Sequence, residues 1–451
     1  MSFLEVTVNR ETSSVPQDGA DSGGCPAGGF GRRSVLQGVA AAGLAGVGGT
    51  LLGRGNLVGR GARPNDVAVE TAATTTESSY PFYGEYQSGI ITPPPPYRQQ
   101  LGTHVVFDVT AANRGELTDL FHTLTTQAAF LTTGGNAPMA APSSPPPDSG
   151  IVGPQIQPDG LTVTVSVGAS LFDERYGLAA RKPAQLVTME PFAHDDLDPA
   201  ISNGDLLVQL CANNNDTLAH AAFEISAATS GALKPRWTIS GFRNPPRPVG
   251  VSRDWFGFKD GIAQPDFTST TQNNQYVWAQ PNTAEPAWAA GGSYHVVRII
   301  HFDVQNWQAV PVAEQERIMG RKKISGAPTY APDPNADDTY DPIYTNDPQG
   351  LLTALNSHIR LANPQTPETA STSTILRRSY DFELSPQAGG SPILGHAFTC
   401  FQRELNSYID MQTRLEDELL VPYLSPQGGG YFFALPGVRS SQDYYASGLL
   451  A

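Results

Sequence analysis

Two stretches that share one pattern decide the fold: THVVFDV at residues 103–109 and YHVVRIIHFDV at residues 294–304. Each is an apolar, β-branched run of the kind that forms a buried strand. Residues with a helical spacing of apolar side chains follow each run, at 113–131 in the first case and at 311–321 in the second. The chain therefore repeats a strand-then-helix step.

A second step is repeated in the same way. Residues 204–214 predict a strand that is followed by a helix, and residues 396–420 repeat that order. His104 and His295 occupy matching places in the first pair of stretches. Two halves that each contain strand, helix, strand and again strand, helix, strand predict an α+β protein. We expect two tandem ferredoxin-like domains with antiparallel sheets, of the dimeric α+β barrel type.

The chain has 451 residues, more than one ordinary core requires, so two domains are the starting expectation. Four consecutive prolines at residues 93–96 indicate a linker, because proline is excluded from central strands. We expect four segments: an export signal at 1–63, a linker and N-terminal arm at 64–101, a first ferredoxin-like domain at 102–250 and a second at 251–451.

The composition excludes one class of partner. Hydrophobic residues make up 39% of the chain and charged residues 16%, which is typical of a globular protein. The formal net charge is −15. We expect no nucleic-acid partner, because binding to phosphates requires a surplus of Lys and Arg.

The N-terminal residues have the layout of a twin-arginine export signal. Arg32 and Arg33 immediately precede residues 38–52, a weakly hydrophobic stretch that is too short and too rich in Gly and Ala to span a bilayer permanently. Val35 stands where Phe is common in such signals, and Gln37 stands where Lys is common. We expect export of a folded protein to the periplasm, the cell envelope or the extracellular space. The alternative is a chance arginine pair before an Ala/Gly linker.

Most cysteines and histidines are predicted to be structural. Cys211 and Cys400 lie in apolar, strand-like runs, where buried thiols are more common than a disulfide or a metal site. Six histidines lack an i,i+4 partner or H-E-x-x-H spacing, so we expect no zinc site. They are His104, His194, His220, His295, His301 and His396.

Three short motifs carry residues that are suited to catalysis. GFKDG at 257–261 places Asp260 between a lysine and a glycine, which alone predicts only a turn. HIRLANP places His358 shortly before an Asn-Pro pair, and ILRR places Arg377 and Arg378 at the start of an apolar run. Each residue taken separately is more often structural than functional.

Taken in order, GFKDGIAQP, GGSYHVVR, HIRLANP, ILRR and GGGYFFALPG resemble the dye-decolourising peroxidase family of haem enzymes. The resemblance runs from about Tyr80 to the C-terminus, and PFYGEYQSGI is similar to the start of the exported deferrochelatase/peroxidase branch. It implies two ferredoxin-like domains, with haem b held chiefly by the second.

The resemblance also implies an activity and partners. The main expectation is reduction of hydrogen peroxide with oxidation of dyes, phenols or other bulky organic electron donors. The alternative is a deferrochelatase that releases iron from haem and works with an iron-uptake system. A cofactor-free binding protein with the same fold is a third possibility. The family also implies a homo-oligomer.

Residue by residue, the resemblance assigns His358 as the proximal ligand of the haem iron, Asp260 as the distal carboxylate and Arg377 as the distal arginine, which also contacts haem. A proximal histidine needs an acceptor for its second ring nitrogen, and Glu404 and Asp410 are candidates. The residues that match the family's haem-lining stretches are Gly261, Ile262, Ala263, Asn363, Pro364 and Gln365.

The sequence departs from the family at two of these positions. Ile262 stands where the family often has Thr, and Gln365 stands where it often has Arg. Loss of that arginine removes a partner for a haem propionate, so we expect either that haem is held less tightly or that Arg298 or Arg378 takes its place.

The chemistry explains why the distal pair is needed. Cleavage of the peroxide bond requires a proton moved from one oxygen to the other and a cation beside the departing oxygen. A carboxylate with an ordinary pKa of about 3.9 is a competent base at acidic pH. We therefore expect an acidic pH optimum for dye oxidation.

Overall fold

The computed structural model describes residues 79–94, 98–247, 250–340, 343–385 and 390–451. All of them belong to one unit, Thr71–Ala451. The predicted export signal and the first part of the linker lie outside the described residues. No helix within the described ranges is long and apolar enough to cross a membrane.

The first half follows the predicted order of elements. It contains β1 (Leu101–Val109), α1 (Arg114–Thr133), β2 (Gly135–Asn136), β3 (Gln155–Ile156), β4 (Thr162–Gly168), β5 (Leu206–Ala212), α2 (Asn215–Ala228) and β6 (Leu233–Phe242). The side chain of Asn113 accepts a hydrogen bond from the backbone N–H of Glu116 at 3.0 Å and so caps the start of α1.

The second half repeats that order with more helices. It contains α3 (Thr270–Tyr276), β7 (Ser293–Phe302), α4 (Val304–Gln308), α5 (Val312–Met319), α6 (His358–Ala362), β8 (Leu376–Arg377), β9 (Tyr380–Leu384), β10 (Ile393–Gln402), α7 (Leu405–Leu415), β11 (Leu424–Ala434) and α8 (Ser447–Leu450). The two strands that share the repeated sequence pattern, β1 and β7, are the first long strands of their halves.

One antiparallel sheet contains the long strands of both halves. Its order is β7-β11-β4-β5-β1-β6-β9-β10-β8, and β7 also pairs with β10, so that eight of its strands close into a barrel. Counted from the N-terminus of each half, the long strands lie in the order second, third, first, fourth. That is the ferredoxin-like order, which confirms the predicted fold class.

The two halves join at two seams. At one, Phe242 of β6 pairs with Asp381 of β9, and at the other, residues 166–168 of β4 pair with residues 432–434 of β11. The sheet passes through both halves without a break. The boundary between residues 250 and 251 stays a prediction.

The interior of the barrel contains a small polar network. The Nε2 atom of His104 lies 3.1 Å from Gln209 Oε1 and 3.1 Å from Thr399 Oγ1, and the rings of His104 and His295 are 6.2 Å apart. Burial lowers the pKa of His104 to about 4, so this ring is neutral. The matching histidines are therefore packed in the barrel interior, as the structural prediction required.

Among the described residues, Cys211 and Cys400 are free and buried, which confirms their prediction as buried thiols. The prediction that the histidines lack an i,i+4 partner is wrong for His220. Its Nε2 atom lies 3.0 Å from Asp148 Oδ2 and 3.8 Å from Oε1 of Glu224, four residues further along α2. This cluster connects the loop between β2 and β3, which carries Asp148, to α2.

Candidate active site

A tight hairpin positions Asp260. The backbone N–H of Asp260 donates to the carbonyl of Ser252 at 2.9 Å, and that of Phe258 donates to Asp254 Oδ1 at 2.9 Å. Gly261 follows with φ 95°, a conformation that L side chains rarely adopt. GFKDG is therefore a turn, as its composition predicts, and the same turn presents a carboxylate.

The aromatic residues of the hairpin fix it to the second half. Phe256 and Phe258 are buried in a cluster with Trp307, Ile318 and Leu420. The indole N–H of Trp307 donates to the carbonyl of Phe256 at 3.2 Å. This anchoring holds Asp260 in place and explains why apolar rings surround a charged residue.

Arg377 meets Asp260 across 117 residues of sequence. Its Nη1 donates to Asp260 Oδ1 at 2.8 Å, and its Nη2 donates to the carbonyl of Ala263 at 3.3 Å. The amide of Gln264 both accepts from the backbone N–H of Arg377 at 2.9 Å and donates to its carbonyl at 3.0 Å. Gln264 is a residue that sequence reasoning missed, although it lies in the quoted GFKDGIAQP motif.

His396 also reaches the site. Its Nε2 lies 3.7 Å from Asp260 Oδ2, and its Nδ1 lies 2.8 Å from Asp381 Oδ1. Asp381 in turn accepts from the side-chain amide of Asn244 at 2.9 Å. The sequence assigned His396 a structural role because nothing in its own neighbourhood indicated a contact with Asp260.

The charges around Asp260 decide its protonation. Burial alone raises the pKa of Asp260, but Arg377 and then His396 outweigh burial and hold that pKa below its ordinary value. Burial, together with the charge of Asp260, raises the pKa of Asp254 to about 7. At neutral pH the carboxylate next to Arg377 is ionised, whereas burial and the charge of Asp260 favour the protonated form of Asp254.

A cavity of about 60 Å³ opens beside these side chains. Several water molecules fit in such a space, because each needs at least about 10–15 Å³ of it. Residues of both halves line it, among them Arg98, Arg243, Asp254, Asp260, Arg377, Asp381 and His396. The acid–base groups of the site are thus connected to a small polar cavity.

His358 is the first residue of α6. Its Nδ1 lies 2.6 Å from Oε2 of Glu418, which is only 5% exposed, whereas the His358 side chain is 32% exposed. Burial lowers the pKa of His358, but the charge and the hydrogen bond of Glu418 outweigh burial and raise it. Glu404 and Asp410, the acceptors that we expected, do not make this contact. That expectation was wrong. Glu418 lies in the segment that follows α7, 60 residues from His358 in the sequence, so no local pattern connected the two residues.

Two arginines fix α6, which has only five residues. Arg414 of α7 donates to the carbonyls of Leu361 and Ala362 at 2.9 and 3.1 Å, at the C-terminal end of the helix. Arg360 is buried and pairs with Asp347 at 3.2 Å in the preceding loop. The helix that carries His358 is thus fixed at its C-terminal end by Arg414 and at its middle by Arg360.

The donor set fits a haem. Because Nδ1 of His358 faces Glu418, Nε2 has no hydrogen-bond partner among the described residues and is free to bind iron. Leu361, Phe398 and Ile409 are apolar and only partly buried. Arg377 and Asp260 lie near enough for their charges to act on His358.

The other predicted haem-lining residues lie in the GFKDGIAQP motif and in or directly after the HIRLANP motif. Gly261, Ile262 and Ala263 directly follow Asp260, and Asn363 ends α6. Pro364 and Gln365 come next, and Gln365 is exposed with φ 59°. Their contact with haem remains a prediction.

The expected replacements for the missing arginine at position 365 are wrong. Arg298 is 1% exposed and forms an ion pair with Asp195 in the interior. Arg378 is fully buried and donates to the carbonyl of Pro93 and to Gln99. Neither guanidinium is accessible to a propionate.

Family models match both halves of the chain. The model described as "Dyp-type peroxidase, N-terminal" matches residues 87–243, and "Dyp-type peroxidase, C-terminal" matches residues 251–439. Among curated relatives, the deferrochelatase of Yersinia pestis bv. Antiqua (strain Nepal516) is 44% identical over 375 residues, which cover 82% of this chain and 84% of that protein. The deferrochelatase of Escherichia coli (strain K12) is 45% identical over 381 residues, with 82% and 87% covered.

Solved structures agree. The DyP-type peroxidase from Cellulomonas bogoriensis has a TM-score of 0.71 and 31% identity, with 83% of this chain and 98% of that chain covered. Ferric DtpA from Streptomyces lividans has a TM-score of 0.72 and 28% identity, with 83% and 97% covered. The resemblance seen in the sequence is confirmed, and the chain belongs to the Dyp-type peroxidase family, as a haem-binding enzyme that reduces hydrogen peroxide with an electron donor.

Proposed function

We propose that His358 would hold a haem and that Asp260 and Arg377 activate the peroxide that this haem would reduce. The observation that carries this proposal is the Asp260–Arg377 pair, joined at 2.8 Å with side chains that are 31% and 24% exposed. Both side chains also line the polar cavity, so a peroxide that enters it can reach the carboxylate and the guanidinium. His358, with Glu418 on its Nδ1, would supply Nε2 to the iron.

When bound, haem supplies the iron at which peroxide is reduced. Asp260 accepts the proton of one peroxide oxygen and returns it to the other, which then departs as water. Arg377 stabilises the negative charge that develops on the departing oxygen. Gln264 and the carbonyl of Ala263 hold Arg377 in position for this task.

The pH dependence follows from the direction of the Asp260 shift. Because Arg377 and His396 lower its pKa, the carboxylate loses its charge only when the pH falls below that lowered value. The base form therefore persists in acid, and we infer an acidic pH optimum for oxidation of dyes and phenols.

The first test combines spectra with kinetics. Wild-type protein with added haem should give a Soret band, and His358→Ala should lose or alter it. Asp260→Asn should retain haem and react with peroxide about 10²–10⁴-fold more slowly, because the acid–base group is gone. Stopped-flow absorbance at the Soret band measures both.

Asp266→Asn is the matched control, since Asp266 is exposed in the same loop and does not line the cavity. It should react as fast as wild type. An Asp260→Asn rate equal to wild type would remove Asp260 from the mechanism, and an unchanged His358→Ala spectrum would remove His358 as the ligand.

A second candidate function is release of iron from haem for an iron-uptake system. The curated relatives named deferrochelatase, at 44% and 45% identity, favour it. Loss of iron leaves a porphyrin that takes up two protons and fluoresces. Incubation of the protein with haem and a reductant should then produce porphyrin fluorescence, and its absence under anaerobic and aerobic conditions would count against this function.

We further propose export by the twin-arginine route to the periplasm, the cell envelope or the extracellular space. The support is Arg32–Arg33 before the stretch 38–52. Changing both arginines to lysine should retain the protein in the cytoplasm, as cell fractionation would detect. Export of the double variant would contradict the proposal.

A homo-oligomer remains a proposal from the family alone. Light scattering on the purified protein measures the mass, and a mass of one chain across micromolar concentrations would exclude it.

A further inference from the structure

His396 is an acid–base residue that lines the cavity and has no role in the peroxide mechanism proposed above. It lies on β10 directly opposite Asp381 of β9 in the antiparallel register. Its side chain is 12% exposed and borders the cavity, with Nε2 3.7 Å from Asp260 Oδ2. Arg377 occupies the other oxygen, Oδ1. Asp260 therefore lies between an arginine and a histidine.

Asp381 sets the orientation of the His396 ring. An ionised carboxylate only accepts, so Nδ1 of His396 carries the proton that it donates to Asp381 Oδ1 at 2.8 Å. Asn244 donates to the other oxygen of Asp381 at 2.9 Å. With both oxygens of Asp381 engaged, the ring is held and Nε2 is the nitrogen directed at Asp260.

The cavity gives this pair access to water. Its volume of about 60 Å³ lies between Asp260, His396 and the side chains of Arg98 and Arg243 from the first half. The 3.7 Å separation of His396 Nε2 and Asp260 Oδ2 is too long for a direct hydrogen bond. Both atoms border the cavity, so a water molecule there would contact each of them and connect the two side chains.

We propose that His396, held by Asp381, is a positioning residue that exchanges a proton between Asp260 and the water of the cavity. This inference rests on the role proposed for Asp260. Reduction of one H₂O₂ to two H₂O takes up two protons and two electrons. Two donor molecules supply the electrons, one each, and the two protons, released by a phenolic donor or taken up from solvent, must reach the site. The cavity with His396 is the entry that the structure offers beside Asp260.

The charged groups around His396 come from several elements. Asp381 faces it from β9, and Asp260 and Asp254 face it from the hairpin. The further charged residues that line the same cavity are Arg98, Arg243, Arg253 and Arg377. Asp381 makes the only direct hydrogen bond to His396 among the described side chains, and Asp260 lies 3.7 Å from its other ring nitrogen.

The directions of titration agree with this role. Burial lowers the pKa of His396, but Asp381 and Asp260 outweigh burial and raise it, so the ring is protonated in acid and loses its proton as the pH rises through the raised value. The protonated ring in turn contributes to the lowered pKa of Asp260. Removing the ring removes one of the positive charges that lower the pKa of Asp260.

The test is the pH profile of His396→Gln, which keeps a hydrogen-bonding amide but cannot titrate. A unit charge at about 4 Å in a hydrated site shifts a pKa by roughly half a unit to one unit. The acid limb of the peroxide rate constant should move up by that amount, so that the rate falls about 3- to 10-fold on the limb, with less than a twofold change on the plateau. Asp381→Asn should shift the limb in the same direction.

A second readout does not depend on turnover. The rate of cyanide binding to the ferric holoenzyme, followed at the Soret band, also requires a distal proton acceptor and should show the same shift. His301→Gln is the matched control, because His301 lies on the neighbouring β7 and packs against Phe382 at a ring distance of 5.9 Å. Its profiles should coincide with wild type.

Each outcome decides. A shifted acid limb in both assays for His396→Gln, with none for His301→Gln, supports the proposal. An unshifted limb, or a uniform loss of rate at every pH, overturns it while Asp260→Asn remains slow. If Asp260→Asn is as fast as wild type, the role of Asp260 fails and this inference fails with it.

Discussion

At the level of single residues, Glu418 determines how His358 is presented. Its carboxylate is nearly inaccessible and lies 2.6 Å from Nδ1 of His358. That contact fixes the tautomer, orients the ring and makes Nε2 a stronger electron donor. In other proteins, residues that hydrogen-bond to a metal ligand in this way commonly contribute about 10- to 100-fold to metal affinity.

We therefore predict that Glu418→Ala lowers haem affinity about 10- to 100-fold while leaving the fold intact. The rate of haem transfer to a scavenging apoprotein measures it. Asp417→Ala is the control, because Asp417 is the exposed neighbour. Equal haem loss from both variants would mean that Glu418 does not support the ligand.

At the level of elements, α6 cannot maintain its position alone. A helix of five residues is far below the length of about 12–15 residues at which an isolated helix becomes marginally stable. Arg414 binds the carbonyls at its end and also donates to Ser373 at 2.8 Å. The position of His358 thus depends on a side chain from α7.

Arg414→Ala should free those carbonyls, destabilise the protein by about 1–3 kcal/mol and loosen the haem. Chemical denaturation and haem transfer measure the two effects. Arg403→Ala is the comparison, since the exposed Arg403–Glu404 pair should contribute at most about 1 kcal/mol. Similar losses in the two variants would argue that Arg414 is only another surface charge.

At the level of the whole molecule, the barrel makes the halves depend on each other. At the seam between β4 and β11, Val167, Phe432 and Phe433 are fully buried. Separation of the halves would expose these side chains and leave strand edges unpaired. Each half thus completes the sheet of the other.

We predict that β5 of the first half and β10 of the second open together. Hydrogen exchange with mass spectrometry across a denaturant series should give equal opening free energies for peptides from the two strands. If β5 opens at a clearly lower denaturant concentration than β10, the two halves unfold independently. The molecule would then consist of two domains divided at 250/251 and not of one cooperative barrel.

Much of the fold could be predicted because the pattern is local. α1 was expected at 113–131 and spans Arg114–Thr133, and the repeated stretches became β1 and β7. Apolar spacing reports which face of an element is buried, and that signal lies within the element. The motifs around Asp260, His358 and Arg377 were visible for the same reason.

The remaining parts of the site lie in contacts between residues that are far apart in sequence. Glu418 meets His358 across 60 residues, and Gln264 meets Arg377 across 113. His396 was assigned a structural role, yet its contact with Asp260 forms only where β10 passes the hairpin. Arg298, expected at a propionate, is instead buried against Asp195.

The amino-acid order alone established the duplicated α+β plan, the acidic surface charge and the three motif residues, since each is encoded within a short stretch. The tertiary structure decided which acid supports His358, which histidine stands beside Asp260 and which arginines are accessible. Those choices depend on which side chains meet when distant segments pack together, and periodicity within one element carries no record of its neighbours.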